Sequence, residues 1–147
     1  MNKLEQIIAG KSNQVEEVGD TGYFRKEIED HLVCADGMTL SVQCSKYAYC
    51  APRTDSGPYT SVEVGYPGID PPESWAEYAD GDYPTDVYGW VPVELVRDFI
   101  AAHGGLISAE SELGKESLEL AGERMSAKME EARKNISDLA AQLKERA

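Results

Sequence analysis

Residues 32–44 read Leu32-Val33-Cys34-Ala35-Asp36-Gly37-Met38-Thr39-Leu40-Ser41-Val42-Gln43-Cys44, two apolar runs around an Asp-Gly pair. Asp-Gly readily takes the positive φ angles of a type I′ turn, so the stretch predicts a β-hairpin in which Val33 faces Leu40. Leu40, Val42 and Cys44 alternate with Ser41 and Gln43, which predicts a strand with one buried and one exposed face. A hairpin with one apolar face needs further strands and a covering helix. The flanking sequence offers both.

Downstream, Tyr47 and Tyr49 take the opposite parity from Cys44, which predicts a bulge near Ser45-Lys46. The loop over residues 51–58 is punctuated by two prolines and a glycine. In Thr60–Tyr66 the residues Thr60, Val62, Val64 and Tyr66 share one side and Ser61, Glu63 and Gly65 the other, a strand expected to pair with residues 39–49. Pro71–Tyr78 can wind into a short helix, since proline is tolerated in a first turn. Val87–Val91 reads as another strand ended by Pro92, and Val93–His103 as an amphipathic helix with Leu95, Val96, Phe99 and Ile100 inward and Gly104-Gly105 as its cap. Upstream, residues 1–9 predict a short helix with Leu4, Ile7 and Ile8 on one side and Gly10 at its end. Residues 14–18 and 22–29 predict edge strands with Val15, Val18, Phe24 and Ile28 inward. The sum is an α+β fold: an antiparallel sheet of about four or five strands with a packing helix, one core domain over residues 1–105.

After Gly105 the composition changes. Residues 106–147 contain no aromatic residue and no proline and are rich in Ala, Glu, Lys and Leu, which predicts a long C-terminal amphipathic α-helix. Leu118, Met125, Ala132 and Leu139 recur every seven residues, and Gly122, Met129, Ile136 and Leu143 form the companion series. Gly122 and Ala132 bury little, and Ala121, Ser126, Asn135, Ala140 and Gln142 carry no complementary charges beside the seam. The helix is therefore expected to pair shallowly, as a homodimer or with a partner, through Leu118, Met125, Met129, Ile136, Leu139 and Leu143, or else to lie on the core domain.

The net charge of −13 is localised: −2 over residues 1–53, −9 over 54–105 and −2 over 106–147. From Thr54 to Val96 there is no Lys, Arg or His among nine carboxylates and seven aromatic residues. Such a field repels phosphates and anionic membranes and speeds encounter with basic surfaces, which argues for a basic protein partner and against direct nucleic-acid or membrane binding. The expected contact residues are Asp70, Glu73, Trp75, Glu77, Tyr78, Asp80, Asp82 and Asp86, carboxylates in place of phosphates and rings in place of bases. No stretch approaches the roughly 18 apolar residues of a membrane span, the first residues are not a secretion signal, and three cysteines form an odd set; a cytoplasmic protein is expected.

Motifs for chemistry are lacking. His31 and His103 belong to no nucleophile or metal pattern, and the spacing of His31, Cys34, Cys44 and Cys50 is not that of a zinc site. Asp80-Gly81-Asp82 with Asp86 lacks the ligand ladder of a calcium loop. Glu73 and Glu77, one α-helical turn apart, would share a face, but a chain of this size hardly provides a sugar cleft. No enzyme activity, metal or cofactor is expected. Arg53 among Tyr47, Tyr49 and Tyr59 offers an alternative small-nucleotide site through Arg53, Tyr47 and Tyr59, with pairing to Asp55 or stacking on a tyrosine as the structural explanation.

The blocks Leu40–Tyr47, Cys50–Arg53, Gly57–Pro67 and Val87–Val96 resemble small acidic accessory proteins encoded by tailed bacteriophages, a group without an assigned activity or site. The resemblance covers about residues 38–105 and leaves out the C-terminal helix. It implies a setting in the host cell cytoplasm, where small acidic phage proteins bind basic host proteins such as nucleases and CRISPR complexes. The expected function is thus an anti-CRISPR or anti-restriction type of inhibitor, with a nucleotide binder or a phage assembly or scaffold component as rivals.

Overall fold

The computed structural model describes residues 1–11, 15–18, 23–26 and 28–146, with 15–18 and 23–26 described by their backbone. Its elements are α1 (Lys3–Ala9), β1 (Val15–Val18), β2 (Tyr23–Lys26), β3 (Leu32–Cys34), β4 (Thr39–Gln43), β5 (Ser61–Gly65), a 3₁₀ helix (Glu73–Tyr78), β6 (Val87–Pro92), α2 (Val93–Ala102), β7 (Leu106–Ile107) and α3 (Glu112–Glu145). Strands β6-β5-β4-β3-β7 form one antiparallel sheet in that order, and β1 pairs with β2 in a separate ribbon. The fold is α+β, with the expected packing helix and long C-terminal helix. The inward roles expected of Val15, Val18 and Phe24 lie outside the described residues, and Ile28 is exposed.

The hairpin of residues 32–44 forms with a different loop. Leu32 pairs with Leu40 and Val33 with Thr39, so Val33 does not face Leu40. The Gly37 amide donates to the Cys34 carbonyl at 2.9 Å and the Cys34 amide to that of Met38 at 2.8 Å, leaving Ala35, Asp36 and Gly37 as a three-residue loop. Only Gly37 takes positive φ (89°), as in a type I turn closed by a glycine bulge. Asp36 accepts from the Met38 amide and meets His103 at the end of α2, contacts that hold it out of the type I′ geometry.

α1 begins at Asn2, whose side chain accepts from the Glu5 amide, and ends at Gly10 with φ 76°. α2 ends in a Schellman motif: the Gly105 amide donates to Ile100 and that of Gly104 to Ala101, both glycines at positive φ. These helices cover one face of the sheet. Leu4, Ile7 and Ile8 of α1, Val93, Val96, Phe99 and Ile100 of α2, and Trp75 of the 3₁₀ helix meet Leu40, Val42, Val62, Val64, Tyr88 and Val91. Leu95 is half-buried at the margin of this core. The Glu5 carboxylate pairs with Arg97 at 2.7 Å and ties α1 to α2 at the surface, which lowers the Glu5 pKa.

The other face of β4 is not open to solvent. Thr39 and Ser41 are buried because the first turns of α3 lie across them: Gly114, Ser117 and Ala121 are buried, and Arg124 donates to the Thr39 hydroxyl at 3.3 Å. The half-exposed strand expected from the Ser41/Gln43 alternation is thus a central strand covered on both sides. The sheet also runs past residue 105, since Leu106 and Ile107 form its edge strand on β3. Two other expectations fail locally. Residues 44–50 are turns rather than a bulged strand, and Tyr66 leaves the β5 face at φ 51° and is exposed.

His31 lies in a cleft of about 240 Å³ under α3, with Arg124 and Lys128 on one side and Asp70 and Asp86 on the other. Burial lowers its pKa from the ordinary 6.5, against the smaller opposing pull of Asp30. A histidine whose folded pKa is depressed stabilises the fold fully above the unfolded value and loses that contribution as pH falls through the folded one. The urea midpoint should therefore drop as pH is lowered from 6.5, and less so in His31→Asn. Equal pH dependence in both chains would remove His31 from the account.

Candidate partner-binding surface

β6 carries one residue too many. Val62 pairs with Val91 and Val64 with Tyr88, so Gly89 and Trp90 together stand opposite Glu63 in a bulge. The bulge lets both Tyr88 and Val91 stay buried while Trp90, at φ 53°, is thrown outward and 49 % exposed. A bulky residue in this region of φ is strained, which costs on the order of 1–3 kcal/mol.

Three interactions fix the bulge. The Trp90 amide donates to the Tyr49 carbonyl at 2.8 Å, and the Tyr49 amide donates to the Glu63 carboxylate at 2.8 Å. The Tyr49 and Trp90 rings stack with centroids 5.0 Å apart. Gly89 permits this arrangement, because a Cβ there would lie 3.0 Å from that of Tyr49. The Arg53 guanidinium sits 5.6 Å from the Tyr49 ring centre, so Arg53 acts as a stacking partner of Tyr49.

The segment after the 3₁₀ helix forms the opposite wall. Ala79 bridges to Tyr88 and the Asp80 amide donates to the Val87 carbonyl, pinning residues 79 and 80 along the β6 edge. Between the walls runs an open groove of about 340 Å³ lined by Tyr49, Gly89 and Trp90 on one side and Glu77, Tyr78 and Asp80 on the other. Tyr78 is hydrogen-bonded to Glu77, which raises its pKa and keeps the phenol protonated. Glu73, Glu77, Asp80 and Asp82 are all exposed.

The structure redistributes the expected contact residues. Trp75 is not a surface anchor: it is 2 % exposed in the core, because the 3₁₀ turn that starts at Pro72 directs it inward. Glu73 and Glu77 do not share a face, since four residues along a 3₁₀ helix turn through about 480°. Asp86 is paired with Lys128 of α3 at 2.7 Å, and Asp70 lines the same cleft beside that lysine. The stretch without cations in sequence therefore gains one in space. The exposed aromatic rings here are instead the stacked Tyr49 and Trp90, and a lone glycine inside the strand pattern at Gly89 was the available signal.

The alternative constellation is not assembled. Tyr59 is buried with its hydroxyl donating to the Thr54 carbonyl, so its ring cannot stack on a base, while Tyr47 is exposed beside Lys46. Asp55 accepts from the Lys46 amide. Cys34, Cys44 and Cys50 are buried and form no disulfide with one another, and burial pushes Cys34 up to about 11, too high for an effective thiolate. Among the described residues no three His, Cys, Asp or Glu side chains converge to hold a metal ion, and no helix is long and apolar enough to cross a membrane. No family model, curated protein or solved structure matches the chain at a significant level.

Proposed function

We propose that this is a non-enzymatic binding protein that engages a basic protein partner through the Tyr49–Trp90 groove and the carboxylates beside it. The observation that carries the reading is a strained, exposed Trp90 stacked on Tyr49 and facing Glu77 and Asp80. Aromatic faces beside carboxylates suit arginine and lysine side chains, through cation–π contact and charge pairing together. The net charge of −13 adds long-range attraction to a cationic surface. With the phage-like blocks of residues 38–105, this supports an inhibitor of a basic host nucleic-acid-handling or defence protein, of anti-CRISPR or anti-restriction type, acting in the host cytoplasm.

The test is binding of the full chain to a panel of purified basic host nucleases, restriction enzymes and CRISPR effector complexes at low and high salt. Binding of at least one should weaken with salt and block its activity on nucleic acid. Serine at Glu73, Glu77, Asp80 and Asp82 together should weaken it by at least about tenfold. Binding that ignores both salt and the four substitutions would sink the reading.

A further inference from the structure

α3 has two halves with different surroundings. Its first part is docked: Gly114, Ser117 and Ala121 are buried and Leu118 and Met125 half-buried against the sheet. From Ser126 to Arg146 every residue is exposed, and beyond Lys128, which still pairs with Asp86, the helix leaves the body and runs on for about 18 residues, roughly 27 Å at 1.5 Å per residue. Along this free part Met129, Ile136, Leu139 and Leu143 are 57–69 % exposed. With Ala132 they follow Met125 at steps of four, three, four, three and four residues, which places all of them on one face.

Charge distinguishes the same segment. Ser126–Arg146 holds five cationic residues against four carboxylates, a net of +1, so the rest of the chain carries −14. The free helix is the part of this molecule that another copy can approach without repulsion. Its polar face includes Glu130, Glu131 and Asp138, which does not suit an anionic lipid surface.

We infer that residues 126–146 pair with the same segment of a second copy as an antiparallel two-helix coil. Parallel pairing would set Lys128 against Arg133 of the other chain and bring the two −14 bodies together. Antiparallel pairing places them at opposite ends, farther apart than the Debye length of about 8 Å at physiological salt. In the full-length register Met129 meets Leu139 of the other copy, Ile136 meets Ala132, and Leu143 meets Met125, so the two central Ile136–Ala132 layers are flanked by layers of two large side chains. Gly122 then lies opposite Arg146. A Cβ at Gly122 would meet nothing within 4 Å, which leaves room for the arginine stem, with Glu119 and Glu123 beside it for the guanidinium. Arg133 meets its own counterpart, and its contact with Glu130 at 3.8 Å softens that repulsion. The dimer would display an acidic–aromatic groove at each end.

Sedimentation equilibrium of the full chain should give twice the 16.1 kDa chain mass. Ile136→Glu with Leu139→Glu should raise the dissociation constant by at least about 100-fold, with the near-ultraviolet circular dichroism of the buried Trp75 unchanged. Orientation is read by disulfide formation: Met129→Cys combined with Leu139→Cys in one chain should give covalent dimers, and Met129→Cys alone should not. The native thiols are buried and stay silent. A monomer throughout the dilution series, a monomer that binds anionic vesicles instead, or efficient cross-linking of Met129→Cys alone would each overturn the inference. None of these readouts depends on the grooves binding anything.

Discussion

Replacing Trp75 with alanine is expected to destabilise the fold by about 3–5 kcal/mol, a large share of the stability of a small domain. The indole is 2 % exposed and sits edge-on to Tyr88 with centroids 5.7 Å apart and tilted against Phe99 at 5.2 Å. Tyr88 belongs to β6 and Phe99 to α2, so this side chain is the wedge that joins the 3₁₀ helix to both. Its removal leaves a cavity between Tyr88 and Phe99 in the core cluster. Denaturation in urea followed by far-ultraviolet circular dichroism measures the loss, a signal that both the parent and the variant retain. Tyr78→Ala, half-buried at the rim of the same helix, should cost far less. A drop under about 1 kcal/mol for Trp75→Ala would contradict the packing described.

The contrast between Trp75 and Trp90 shows what a sequence carries and what it withholds. Both tryptophans lie in the acidic stretch, and composition gives no means to decide which one is core. The 3₁₀ register after Pro71-Pro72 turns Trp75 inward, and the bulge at Gly89 turns Trp90 outward; each depends on how β6 pairs with β5. Elements set by local pattern were legible: the spacing of Leu4, Ile7 and Ile8, the cap at Gly104-Gly105, the strands over 61–65 and 87–92, and the long helix after residue 111. The Asp-Gly pair located the hairpin turn but not its length, because Asp36 is held by His103, 67 residues away. The alternation in β4 identified Leu40 and Val42 correctly as core. It could not reveal that α3 returns to cover Thr39 and Ser41 on the opposite face.

Charge was misjudged for the same reason. The absence of cations along residues 54–96 is a linear fact, whereas the field that a partner meets is spatial. Lys128 reaches Asp86 from another element, so the acidic surface contracts to Glu73, Glu77, Asp80 and Asp82 beside the groove. That contraction sharpens the candidate site. It places these four exposed carboxylates next to the stacked, exposed rings of Tyr49 and Trp90.

Replacement of Trp90 should separate binding from folding more cleanly than any other change. Trp90→Gly removes the exposed ring and its stack on Tyr49, worth about 0.5–1.5 kcal/mol, but it also relieves a bulky residue from φ 53°. The relief is on the order of 1–2 kcal/mol and is offset in part by the greater freedom of glycine in the unfolded chain. Stability should therefore stay within about 1 kcal/mol of the parent. Binding to the basic partner should fall by at least about 2 kcal/mol, roughly 30-fold, as expected for an aromatic anchor at the centre of a contact. Tyr49→Ala should reproduce much of that loss, and the double substitution should fall short of the sum because the two rings act as one unit. Unchanged affinity in Trp90→Gly, with salt dependence retained, would move the contact to the carboxylates alone. Lost affinity accompanied by a lowered urea midpoint would instead make the bulge a structural joint, with Trp90 holding Tyr49 in place and not meeting the partner.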